Sequence, residues 1–246
     1  MVQSRPTFSP RGIRIDLRFP YLNKELARAW DYLILASPKL RNSDGFRFDL
    51  VDITRQVLSN HAVSIHTQLT DAYNKNDLER FKKFASDFIT LIDDLDELTG
   101  TREDFLLGRC IEDAKKHGTN EAEKALYERN ARNLITTWGD KDNRLHEYSA
   151  RQWNGLLRSF YKPRWEQFFA DAENSLLKNE KFNQDAFVSR IRNWEWNWVN
   201  GRELFRTEAS GDPVEVSLKM FRKYHHIIMA AEEPEKQPST QLANIP

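Results

Sequence analysis

Metal chemistry needs ligands that converge, and the histidines of this chain do not supply them. His61 and His66 are five residues apart and share no helical face; His225 and His226 are adjacent and diverge on a helix. There is no HExxH and no Cys/His cluster, so the histidines read as packed or solvated side chains and no cofactor or metal is expected. Cys110, the single cysteine, falls on an apolar helical stretch and reads as an inert small hydrophobe. No GxSxG elbow and no phosphate-cradling glycine loop is present. Glycoside hydrolysis would need two carboxylates about 5 to 10 Å apart. The chain has 37 acidic residues, and their spacing singles out no pair. Asp93-Asp94 and Asp96-Glu97 flank an apolar stripe and read as a solvated face. Glu195, between two tryptophans, reads as a buried carboxylate of raised pKa or, in preference, as the partner of a nearby arginine.

The tryptophans sort by position. Trp194 and Trp198, at i and i+4, share one helical face and read as core, whereas Trp196 points elsewhere. Trp138 sits at a helix end, followed by Gly139, a polar loop and Tyr148. An aromatic beside a loop can face a cleft, where it would suit the C–H face of a sugar, or it can close the end of a bundle. Taken by themselves, the residues leave both readings open.

These side chains are carried by elements that the periodicity makes helical. The chain has 246 residues, nine glycines and nine prolines, and 39% hydrophobic residues, enough for a sizeable core. After Asn23, a plausible N-cap, Leu26, Trp30, Leu33 and Ile34 recur at helical spacing until Ser37-Pro38. A long helix from Phe48 to Tyr73 follows, and then one capped by Asp77, with the stripe Phe81, Phe84, Phe88, Leu91, Leu95 and Leu98 ending at Gly100 as a C′ glycine. Thr101 with Asp104 resembles an acidic capping box for a helix that holds Phe105, Leu106, Cys110 and Ile111 and stops near Gly118. Further helices are expected from Thr119 to Ile135, from Glu147 to Phe160 and, after a break at Tyr161-Lys162-Pro163, through Leu176. Two more are expected around Phe187–Val199 and after Asp212-Pro213. No strand alternation appears. The fold class is therefore all-α: one bundle of about eight or nine helices over residues 21–231, an extended N-terminal arm or linker over 1–20, and a disordered tail over 232–246.

The totals exclude several classes of function. With 37 basic and 37 acidic residues the net charge is zero, so nucleic acid is not an expected partner. No apolar run approaches the ~20 residues that span a bilayer, so no membrane is expected either. The N-terminal MVQSRPTFSPRG lacks the apolar core of a signal peptide. The compartment is left open, the chain being either cytoplasmic or a piece of something longer.

Several segments, in order, carry a family resemblance: Phe46-Arg47-Phe48-Asp49-Leu50-Val51-Asp52-Ile53-Thr54-Arg55-Gln56, Phe105-Leu106-Leu107-Gly108, Tyr127-Glu128-Arg129-Asn130-Ala131-Arg132, Thr137-Trp138-Gly139, Tyr148 with Arg151-Gln152, and Tyr161-Lys162-Pro163-Arg164-Trp165. Over roughly residues 5 to 230 the chain resembles the C-terminal helical domain of family 89 glycoside hydrolases, the α-N-acetylglucosaminidases. The resemblance implies an exo-acting, retaining enzyme that removes terminal α-linked N-acetylglucosamine from glycans, with its two catalytic glutamates on a (β/α)8 barrel. No barrel is present in this sequence. It also implies a cleft between barrel and helical domain, lined from this side by Trp138 and Tyr148, with Arg144 in the same loop. The expected partners are thus the barrel of the same enzyme and a glycan ending in α-N-acetylglucosamine. Full-length relatives are secreted, periplasmic or lysosomal. The chain alone is expected to be inactive; the alternative is a free-standing helical module that binds glycans or proteins without catalysis.

Overall fold

The computed structural model describes residues 1–9, 21–142 and 148–231. Arg144, the second half of the expected arm and the tail from residue 232 lie outside the described residues. Within them there are eight α-helices and no strands: α1 (Asn23–Leu40), α2 (Asp44–Asn74), α3 (Leu78–Thr99), α4 (Leu107–Lys115), α5 (Glu121–Ile135), α6 (Lys162–Leu177), α7 (Gln184–Val199) and α8 (Pro213–Ala230). The expected all-helical fold is what forms. None of these helices is long and apolar enough to cross a membrane.

The antiparallel pair α2–α3 is the spine. With 31 residues α2 is about 46 Å long at 1.5 Å per residue. It buries Leu50, Val57, Leu58, Ile65 and Leu69 against α1, α3 and α8. The α3 stripe buries Phe81, Phe88, Leu91, Leu95 and Leu98, and α6 packs on it with Trp165, Phe168 and Phe169. Helix α7 bridges α6 to the α4–α5 hairpin. Side-chain caps start most helices: Asp77 accepts from Arg80 N at 3.1 Å, Asn120 from Glu123 N at 3.0 Å and Asn183 from Ala186 N at 3.0 Å.

Several boundaries differ from the sequence reading. Asn23 lies inside α1, where its side chain donates to the Val57 carbonyl at 3.1 Å instead of capping. Pro38 does not end α1. Its missing N–H would have served the Ile34 carbonyl, and Ser37 Oγ donates there at 2.7 Å. α2 begins at Asp44, capped by Ser43. Thr101 closes α3, donating from Oγ1 to the Leu98 carbonyl at 2.7 Å, and opens no capping box. Gly100 is right-handed, at φ −66°. The Arg206 guanidinium and the Asn154 amide lie where a Cβ would stand, so a larger residue there would have to displace both side chains.

The break expected at Pro163 is absent, and so is a helix over residues 148–155. A π-helical turn over Leu157–Tyr161 runs straight into α6. Its i→i−5 bonding sets back the carbonyl that a proline ring would otherwise meet. The arm is non-helical over its first nine residues, and these are built into the bundle, with Val2 fully buried.

Candidate functional site

The candidate site is the connection between α5 and the π turn, and it starts where α5 is tied off. Thr136 Oγ1 donates to the Arg132 carbonyl at 2.6 Å and Thr137 Oγ1 to Asn133 Oδ1 at 2.7 Å. Trp138 N then reaches back to the Asn133 carbonyl at 2.8 Å. This places Trp138 itself in the left-handed region, at φ 62°. A bulky residue there is unusual and costs roughly 1–3 kcal/mol. The far end of the loop repeats the device, with Ala150 at φ 47°. Between these ends the rings of Trp138 and Tyr148 meet, centroids 4.4 Å apart and planes 39° from parallel. Tyr148 keeps 40% of its surface exposed.

The exit from the loop is held more firmly than any helix requires. Asn154 exchanges backbone bonds with Phe105 and Leu107, at 2.8 and 3.1 Å. Asp96 of α3 accepts from Gly155 N at 2.7 Å and from Asn154 Nδ2 at 2.9 Å. Burial pushes the Asp96 carboxyl up in pKa, against the pull of these hydrogen bonds. Gln152 Oε1 accepts from Arg55 at 3.1 Å and from Ser59 at 2.6 Å, and the Arg151 carbonyl accepts from Tyr161 Oη at 2.9 Å. Gly108 allows the Arg206 carbonyl to lie against α4 where a Cβ would collide. The sequence segments quoted above thus meet in one frame around the base of the loop. Arg132, fully buried, pairs with Glu128 at 3.0 Å beneath Trp198 and Phe205.

Of the three residues singled out from sequence, the structure brings Trp138 and Tyr148 together, and Arg144 lies outside the described residues. Asp142, within the loop, lies 4.0 Å from Arg192 of α7. Asp94 and Asp96 are buried, which corrects the solvated-face reading. Asp94 accepts from Tyr224 Oη and pairs with Lys223 at 2.5 Å. On the same helix Asp93 and Glu97 do face out, paired with Lys162 and Lys219. Period-3.6 reasoning assigns a carboxylate to a face but cannot see a tyrosine arriving from α8. Glu195 takes the preferred role, paired with Arg5 at 2.6 Å and Arg164 at 2.7 Å.

A cavity of about 690 Å³ lies elsewhere, lined by Asp44, Arg102, Asp104, Arg109, Cys110 and Trp153 among others. Its charges neutralise one another: Arg102 pairs with Asp44 at 2.5 Å and Asp104 at 2.8 Å, and Arg109 with Glu103. Burial raises the Cys110 thiol pKa, which works against nucleophilic use. Among the described residues no group of three His, Cys, Asp or Glu side chains could hold a metal ion.

Comparison with known proteins agrees with this frame. The profile of the alpha-N-acetylglucosaminidase (NAGLU) C-terminal domain family matches residues 1–223. A human alpha-N-acetylglucosaminidase is 30% identical over 215 residues, covering 87% of this chain and 29% of the human protein. A family 89 glycoside hydrolase from Clostridium perfringens, solved in complex with PUGNAc, superposes with a TM-score of 0.82 at 31% identity, over 91% of this chain and 26% of that one. A structure described as the same organism's enzyme in complex with its substrate GlcNAc-alpha-1,4-galactose gives a TM-score of 0.79 at 31% identity, over 90% of this chain and 26% of that one. The chain therefore spans little more than a quarter of the length of these relatives.

Proposed function

Because this chain belongs to the alpha-N-acetylglucosaminidase C-terminal domain family, we propose that it is the cleft-completing domain of an exo-acting α-N-acetylglucosaminidase, beside a catalytic barrel of the same enzyme. The observation that carries this reading is the Trp138–Tyr148 pair, half exposed on a loop whose two ends are both held left-handed. A pair of rings in that pose presents an apolar wall to the C–H face of a terminal N-acetylglucosamine. Its contribution would be orientation of the sugar and exclusion of water, while the acid and nucleophile carboxylates act from the barrel. A wall of this kind must hold its angle against the substrate, which accounts for the dense tying of residues 151–155 to α2, α3 and the Phe105–Leu107 segment. Arg144 joins the proposal as a polar group of the same loop.

The test has two arms. The purified chain should not hydrolyse an aryl α-N-acetylglucosaminide, and measurable turnover would overturn the division of labour. In a complete relative, alanine at the position matching Trp138 should lower kcat/KM on that substrate; unchanged kinetics would refute the wall.

A further inference from the structure

Residues 1–9 make almost no backbone pairing of their own; the bond from Ser4 N to the Met1 carbonyl, at 3.0 Å, closes one turn. Their carbonyls are taken up by side chains from three helices. Trp165 Nε1 of α6 donates to the Val2 carbonyl at 2.8 Å, and Arg164 Nη2 to those of Gln3 and Ser4 at 2.8 and 3.3 Å. Gln184 of α7 donates to the Pro6 carbonyl at 3.1 Å, and His66 Nε2 of α2 bonds the Thr7 carbonyl at 2.8 Å. This readout of the main chain is indifferent to sequence. Specificity comes from three side chains spaced by three. Val2 is fully buried. Arg5 forms a two-bond pair with Glu195, at 2.6 and 3.2 Å. Phe8 stacks on Tyr73 at 4.1 Å and packs on Phe168 at 4.8 Å. An empty groove would leave the Trp165 indole N–H without its acceptor and take from Glu195 one of its two arginines, both costly in a buried site.

We propose that the groove among α2, α6 and α7 is a receptor for an irregular peptide of the pattern Val-x-x-Arg-x-x-Phe, that residues 1–9 are its resident ligand, and that binding does not depend on their covalent link to α1. The proposal does not rest on the cleft reading; the two regions touch where Gln152 Nε2 donates to Gln3 Oε1 at 3.0 Å.

The full chain tests it when a site-specific protease sequence is inserted between Ser9 and Tyr21. After cleavage, the released segment should co-elute with the bundle on gel filtration. It should exchange with an excess of a fluorescently labelled synthetic peptide of residues 1–9. The Arg5→Ala peptide should be taken up on the order of a hundredfold less well. Loss of the segment with helicity and Tm unchanged would overturn the proposal, as would equal uptake of the Arg5→Ala peptide. If the cleaved protein unfolds, labelled peptide added during refolding should restore the circular dichroism spectrum, and failure to do so also overturns it.

Discussion

Trp165 and Trp138 are the same residue in two regions built on opposite terms. Trp165 lies mid-helix with no exposed surface, ringed by Phe88 at 4.6 Å, Phe169 at 5.5 Å and Phe168 and His66 at 5.7 Å. Its indole N–H is satisfied, and its backbone is ordinary helix. Trp138 has a left-handed backbone, partial exposure and, among the described residues, one aromatic neighbour, Tyr148. The first region gains its stability from the ring; the second spends backbone strain to hold a ring in place. Strain of this kind survives where the surroundings over-determine the chain, and here the frame around Asn154 and Gln152 does so.

The comparison can be broken most severely at the core. Trp165→Ala should cost about 3–5 kcal/mol of folding stability, through the cavity and the orphaned Val2 carbonyl, read from urea denaturation. Glu195→Ala comes next, at roughly 3 kcal/mol or more, because Arg5 and Arg164 stay buried without their anion; Glu195→Gln, with its hydrogen-bonding shape kept, should lose less.

Acid sharpens the contrast. Burial lowers the pKa of both His61 and His66 to about 4, well below the 6.5 expected of an unfolded imidazole. Their contribution to stability is therefore complete above pH 6.5. It is lost as pH falls toward about 4, by about 1.4 kcal/mol per pH unit for each histidine. His66→Gln, which keeps a donor for Thr7, should flatten the slope of stability against pH between 6.5 and 4.5; an unchanged slope would show that His66 does not titrate in this window.

The smallest effect is the most discriminating. Trp138→Gly removes a large ring yet relieves the positive φ, so stability should stay level or rise by up to about 1 kcal/mol. A loss of several kcal/mol would mean that Trp138 packs as Trp165 does, and the two regions would not differ in kind.

Much of this was written in the chain. The α3 stripe, the Asp77 cap and the burial of Trp198 follow from 3.6-residue periodicity, because burial on one face is a property of local sequence; Trp194, expected in the core with Trp198, is only half-buried, as Trp196 is. The all-helical class and the pairing of Glu195 with arginine were also legible. The Trp-Gly end of α5 marked the loop, since a helix end followed by polar residues is a local signal as well. Other features were not local. Ser37 serving the carbonyl that Pro38 deserts, and a π turn accommodating Pro163, are small adjustments that propensity rules average away. Asp94 and Asp96 read as solvated because their partners, Tyr224 and Asn154, arrive from far along the chain. The first nine residues form no helical stripe, and the spacing of Val2, Arg5 and Phe8 by itself does not announce that they pack into the bundle. Local sequence determined which helices form and which residue types stand at the loop. Only the tertiary structure decided that the Trp138 and Tyr148 rings meet, and that the first nine residues are held by their carbonyls, because the frame beneath the loop and the groove around the segment are both built from parts of the chain distant in sequence.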